Sequence, residues 1–153
     1  MRVARMGVGM TVAITSVVGV SLATAGPAAA ADGTWRAYGN TNPITSSTST
    51  WRCAGSHELT DDVHAQVCAI RSSGGDSVQA AVIVRNDRSS LYSASAYMDL
   101  RTSSTGLGNW SCASSGVGAN SWSVCFGKTL TQSSAVNSAG GAQGVSLRVS
   151  PYV

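Results

Sequence analysis

The sequence predicts an all-β chain, a small antiparallel β-sandwich with immunoglobulin-like or Greek-key connections, held by two disulfides. Three observations carry that expectation. Several short segments alternate apolar and polar residues with a period of two, as strands with one buried face do. Clusters of Gly, Asn, Asp and Ser, which favour turns for backbone reasons, separate them. Four cysteines, Cys53, Cys68, Cys112 and Cys125, follow an export-type leader, where an even count reads as two disulfides. A small Greek-key β-barrel is the second architecture that the pattern allows.

The leader comes first in the chain. Residues 1–31 carry Arg2 and Arg5 at the front, an apolar run from about Val8 to Ala25, and a small-residue exit through Gly26, Pro27 and four alanines. A positive head, a short apolar middle and small side chains before the cut describe a secretory signal peptide. Cleavage is expected before Ala31 or Asp32. The apolar run approaches the length of a membrane-spanning helix, but its Gly and Thr content and its alanine exit favour removal. Its Ala-rich style resembles the export signals of high-GC Gram-positive bacteria. The expected product is a secreted, extracellular bacterial protein with no membrane association after cleavage.

Charge then excludes one class of partner. Removing Arg2 and Arg5 from the ten basic residues leaves eight, against seven acidic ones. The eight are scattered singly. Nucleic-acid binders concentrate basic charge, because neutralising successive phosphates drives their binding. No nucleic-acid partner is expected.

Residues 32–50 read as a Ser/Thr-rich N-terminal arm, low in apolar residues. Residues 51–153 read as a single disulfide-stabilised β domain, large enough for a modest core. An internal echo orders its cysteines. Trp51-Arg52-Cys53 and Trp110-Ser111-Cys112 each place Trp two residues before Cys, with a small-residue turn behind. Fourteen and twelve residues then separate Cys53 from Cys68 and Cys112 from Cys125. The echo predicts Cys53–Cys68 and Cys112–Cys125, two local clasps at hairpin or corner positions. Each contributes roughly 3 kcal/mol through loop-closure entropy. The rival pairing, Cys68–Cys125, would make an immunoglobulin-like staple, but no Trp stands about a dozen residues after Cys68 to match that pattern.

The strands follow. Val63–Ser72 leads through a glycine-rich turn at Ser73–Ser77 into Ser77–Asn86. That segment is apolar at nearly every position from Val78 to Val84 and rich in β-branched residues, so it reads as a central strand covered on both faces. Leu91–Arg101 alternates cleanly, with Tyr92, Ala94, Ala96, Met98 and Leu100 on the buried face. Ser93, Ser95, Tyr97, Asp99 and Arg101 take the other. Near the end, Val145, Leu147 and Val149 are expected inward, with Ser146, Arg148 and Ser150 outward. No apolar stripe of helical period appears outside the leader.

The segment between the first two cysteines carries the most chemistry. It holds both histidines, His57 and His64, with Glu58, Asp61 and Asp62. Imidazole and carboxylate suit zinc, nickel or copper, and a helix would place His57, Asp61 and His64 on one face. Loop carboxylates suit calcium. Against a metal, the surroundings read as strand or loop, and on a single strand His57 and His64 point to opposite faces. The zinc signature H-E-x-x-H is not completed after His57-Glu58. The expectation is therefore no cofactor, with a metal at His57, Asp61 and His64 as the alternative.

Catalytic residues are not assigned. Gly75-Asp76-Ser77 shares three residues with trypsin-like and esterase motifs, but Val78 and Gln79 follow where further glycines would stand. Gly, Asp and Ser here more simply close a hairpin. Disulfide formation removes the thiols from chemistry.

Aromatic residues are the remaining candidates. Exposed Trp and Tyr stack on sugars or anchor interfaces. Trp51 and Trp110, beside the cysteines, and Trp122 read as core. Trp35 and Tyr38, ahead of the domain, read as exposed binding residues. The sequence thus favours a secreted, non-catalytic binding module for an extracellular protein or a cell-envelope glycan, a protease inhibitor among the options. The alternative is a small metal-dependent or hydrolytic protein that uses the His57–His64 segment.

Overall fold

The computed structural model describes residues 29–153, so nearly all of the leader read at residues 1–31 lies outside the described residues. Twelve strands follow in order: β1 (Ala31–Asp32), β2 (Thr34–Gly39), β3 (Thr50–Cys53), β4 (His57–Thr60), β5 (Val63–Arg71) and β6 (Ser77–Asn86), then β7 (Tyr92–Arg101), β8 (Gly106–Val117), β9 (Ser121–Phe126), β10 (Leu130–Thr131), β11 (Ala139–Ala142) and β12 (Val145–Val149). They build two facing sheets. The front sheet runs β1-β8-β7-β11-β12 and the back sheet β2-β9-β6-β5-β3, with β10 beside β6 and β4 beside β5. Every pairing is antiparallel except the short parallel one between β1 and β8. The sheets stay open at their edges, so the chain forms a sandwich and not the barrel held as the second architecture.

The main core lies between the sheets. Val63, Val67, Val82 and Val84 of the back sheet meet Met98, Leu100, Val117 and Leu147 of the front sheet. Each fully buried aliphatic side chain contributes about 1.5–3 kcal/mol relative to exposure. The outer face of the back sheet carries a second apolar layer of Cys68, Ile70, Ala81, Ile83 and Val124, flanked by Tyr38, Ile44, Trp51 and Phe126. This layer explains the unbroken apolar run of β6, whose side chains are buried on both faces.

The predicted disulfides form. Cys53 and Cys68 face each other across β3 and β5 with Cα atoms 4.0 Å apart. Cys112–Cys125, with Cα atoms 6.1 Å apart, joins β8 of the front sheet to β9 of the back sheet. The first clasps neighbours within a sheet, and the second staples the sandwich at a corner. Chain crossing between sheets is tight there. At Gly33, between β1 and β2, an added Cβ would stand 2.8 Å from the Cys112 sulfur.

Two sequence expectations meet a different arrangement. Residues 32–50, read as an arm, pack on the domain: β2 pairs with β9, and Asn42 Oδ1 accepts the Ile44 amide at 2.9 Å in a side-chain-closed turn. That turn sets Ile44 against the second apolar layer. On β12 the alternation slips. Arg148 adopts φ +64° beside an irregularity in the β11–β12 register. One residue out of phase exchanges the faces, so Val149 is 47% exposed while Ser150 is buried.

Candidate functional site

The His57–His64 segment is a hairpin of β4 and β5, turned at Asp61 and Asp62, with Asp62 at φ +61°. Asp tolerates that left-handed conformation better than most residues. The register pairs His57 with Ala65 and Glu58 with His64. Cross-strand partners share a face, and Ala65 points into the main core. His57 therefore lies on the core side of the hairpin and His64 on the outer side, while Asp61 and Asp62 are exposed at the tip. The three residues read as metal ligands are not brought together. Among the described residues no three His, Cys, Asp or Glu side chains gather around one point.

Trp35 and Tyr38, read as exposed, are half-buried. Trp35 Nε1 donates to the Ala113 carbonyl at 2.8 Å and its ring packs on the main core, which ties β2 to β8 across the two sheets. Tyr38 joins the second layer, under the guanidinium of Arg36 at 5.0 Å. The aromatics read as core divide. Trp110 is buried between Gly108 and Gly127, whose added Cβ atoms would stand 2.7 and 2.6 Å from its ring. Trp51, edge-on to Phe126, and Trp122 are half-buried in the second layer.

Two tyrosines among the described residues are about half exposed, Tyr152 near the C-terminus at 48% and Tyr97 at 51%, and Tyr97 stands at the centre of the front sheet's outer face. Its phenol lies over Gly141 of the next strand, where a Cβ would stand 2.5 Å from the ring's Cζ. A row of cross-strand partners crosses all five strands here: Ser146, Gly141, Tyr97, Ser111 and Asp32. The neighbouring row adds Asp99 opposite Asn109. Asp99 is held in place, its Oδ1 accepting the Ala139 amide at 2.8 Å and its Oδ2 lying 3.7 Å from Arg101 Nη2. Val149 and Arg148 wall the groove on the β12 side and Ala30 on the β1 side, around a space of about 460 Å³. That size falls in the range of roughly 300–1,000 Å³ usual for small-ligand sites.

Sequence reasoning placed Tyr97 on the polar face of its strand and went no further. A single aromatic amid Ser93, Ser95, Asp99 and Arg101 was the available signal, since an outward aromatic on a solvated face is not needed for the core. The fold defines a class, a small disulfide-bonded β-sandwich, with a half-exposed tyrosine on the outer face of one sheet. No protein-family model matches the chain, and no curated protein matches it.

Proposed function

We propose that this protein is a secreted, non-catalytic binding module that holds a glycan on the outer face of the front sheet. The observation that carries the reading is the Tyr97 ring, with its phenol end over Gly141 and half exposed, within a face of hydroxyl, amide and carboxylate groups. A pyranose has an apolar C–H face and a rim of hydroxyls. The first stacks on an aromatic ring, and the second needs donors and acceptors around it. Asp99, Asn109, Ser111 and Ser146 supply them around the ring. The rigid sheet holds these groups in place before binding, which lowers the ordering cost. Secretion is supported by the leader at residues 1–31 and by the two disulfides, which persist in oxidising compartments. The dispersal of His57, Asp61 and His64 supports binding over metal-dependent chemistry.

The test is depletion from solution by insoluble peptidoglycan, cellulose, chitin and xylan, followed by calorimetry with the matching oligosaccharides. The wild-type protein is expected to partition onto at least one polymer and Tyr97→Ala to lose it. Failure of the wild type on every polymer, or full retention by Tyr97→Ala, would overturn the reading.

A further inference from the structure

The outer face of the back sheet carries a groove of its own, on the other side of the sandwich from Tyr97. Trp122, Arg85, His64 and Glu58 are successive cross-strand partners over β9, β6, β5 and β4. The next row is Val124, Ile83 and Gln66. Between Trp122 and His64 these rows enclose a space of about 380 Å³, with Ser56 and Asp87 at its margin.

Arg85 is the fixed point of this groove. Its Nε donates to Asp87 Oδ1 at 2.5 Å, and its Nη1 donates to Asn40 Oδ1 and the Asn120 carbonyl, both at 3.0 Å. The guanidinium lies over the Trp122 ring at 5.2 Å. Among the described residues its Nη2 has no protein acceptor. A guanidinium fixed through Nε and Nη1 and free at Nη2 is preorganised, so little entropy is lost when the Nη2 group donates to an anion. His64 stands beside it on the next strand, and the Gln66 amide and Ser56 hydroxyl add neutral donors. The exposed part of Trp122 forms an apolar wall, with the buried Ile83 beneath the groove floor.

We infer that this groove binds a carboxylate carried on a small ring-sized body, with the carboxylate against Arg85 Nη2 and His64 and the body against the exposed part of Trp122. Asp87 offsets part of the Arg85 charge. Affinity therefore depends on the oriented Nη2 donor and the exposed indole together, and the expected Kd is about 1 mM, near −4 kcal/mol. The site is independent of the glycan reading of the Tyr97 face. If both hold, one molecule has two ligand surfaces facing away from each other.

The experiment is a nuclear magnetic resonance titration of the full chain, secreted from an expression host with its disulfides formed. Two carboxylate probes, glucuronate and N-acetyl-alanine, are compared with their neutral counterparts, glucose and N-acetyl-alanine amide. At least one carboxylate should shift the signals of His64, Gln66 and the Trp122 indole in a saturable way, while its neutral counterpart leaves them in place. A response to glucuronate alone identifies an acidic sugar, and a response to N-acetyl-alanine alone a peptide-type carboxylate. His64→Gln should weaken binding severalfold and Arg85→Lys about tenfold. Arg85 also anchors Asn40 and Asn120, so its variant can disturb the fold. His64 makes no side-chain hydrogen bond among the described residues, so its variant reads the site alone. No saturable shift with either carboxylate at tens of millimolar, an equal response to the neutral probes, or undiminished binding by His64→Gln would overturn the inference.

Discussion

Tyr97 of β7 and Gly141 of β11 are cross-strand partners, and the phenol ring occupies the space that a side chain at position 141 would take. The neighbouring Gly140 differs. An added Cβ there would meet the Tyr97 carbonyl oxygen at 2.5 Å, which is backbone in the middle of a sheet. A ring end can swing aside, but a paired strand cannot. Gly141→Ala is therefore expected to change stability by less than about 1 kcal/mol, while tilting Tyr97 and lowering the proposed glycan affinity roughly tenfold. Gly140→Ala should instead destabilise by about 2–3 kcal/mol through overpacking. Chemical denaturation of both variants beside the binding assay separates the two effects. Equal stability losses in both would refute the distinction.

Asn86 is fully buried and uses its amide completely. Its Nδ2 donates to the carbonyls of Ser90, Val117 and Gly118 at 2.8–3.0 Å, and its Oδ1 accepts the Arg88 amide at 3.0 Å. One side chain thus fixes the β6–β7 crossing and the end of β8. Asn86→Ala would strand several buried polar groups, each costing about 1–3 kcal/mol. The expected loss is about 3–4 kcal/mol in urea unfolding, and a loss below 1 kcal/mol would show that water replaces the amide freely.

Arg71 ties the segment after β10 and the C-terminal residue to the back sheet. Its Nη1 donates to the carbonyls of Gly75 and Gln132 at 2.7 Å each, and its Nη2 to those of Ser134 at 2.7 Å and Val153 at 3.1 Å. Four acceptors in a fork are matched by guanidinium and not by an ammonium point charge. Arg71→Lys should lose about 1.5–3 kcal/mol despite keeping the charge. Hydrogen exchange should quicken at Ser134–Val136 before the core strands respond. Unchanged protection there would contradict the tie.

The two disulfides should differ in accessibility. Cys112 and Cys125 are both buried in the sandwich interior, whereas Cys53 is half-buried on the edge strand β3. Thiol exchange needs access to a sulfur. A mild reductant with mass-spectrometric thiol labelling is expected to open Cys53–Cys68 first. Replacing Cys112 and Cys125 by Ala should cost about 3 kcal/mol of stability and loosen the corner between the sheets. Simultaneous opening of both bonds would count against a buried staple.

Much of this architecture was legible in the chain. The alternation of Tyr92–Arg101 and the apolar run of Val78–Val84 marked their strands correctly, because period and residue type are local properties. The Trp-x-Cys echo indicated the disulfide pairs, because closing a short loop favours near neighbours. Residues 32–50 misled because pairing with β9 is a long-range event that composition does not reveal. Val149 misled because a single positive φ at Arg148 exchanges the two faces of a strand.

The candidate sites belong to a different level. By itself the sequence determined an all-β chain, its two clasps and the polar character of the His57–His64 segment. Only the tertiary structure decided that His57 and His64 part across a hairpin, that Trp35 is used between sheets, and that Tyr97 lies over Gly141. Each of those facts depends on which residue of a distant strand stands opposite. Register is set by turns, bulges and burial acting together over the whole sheet, and no single segment carries that information.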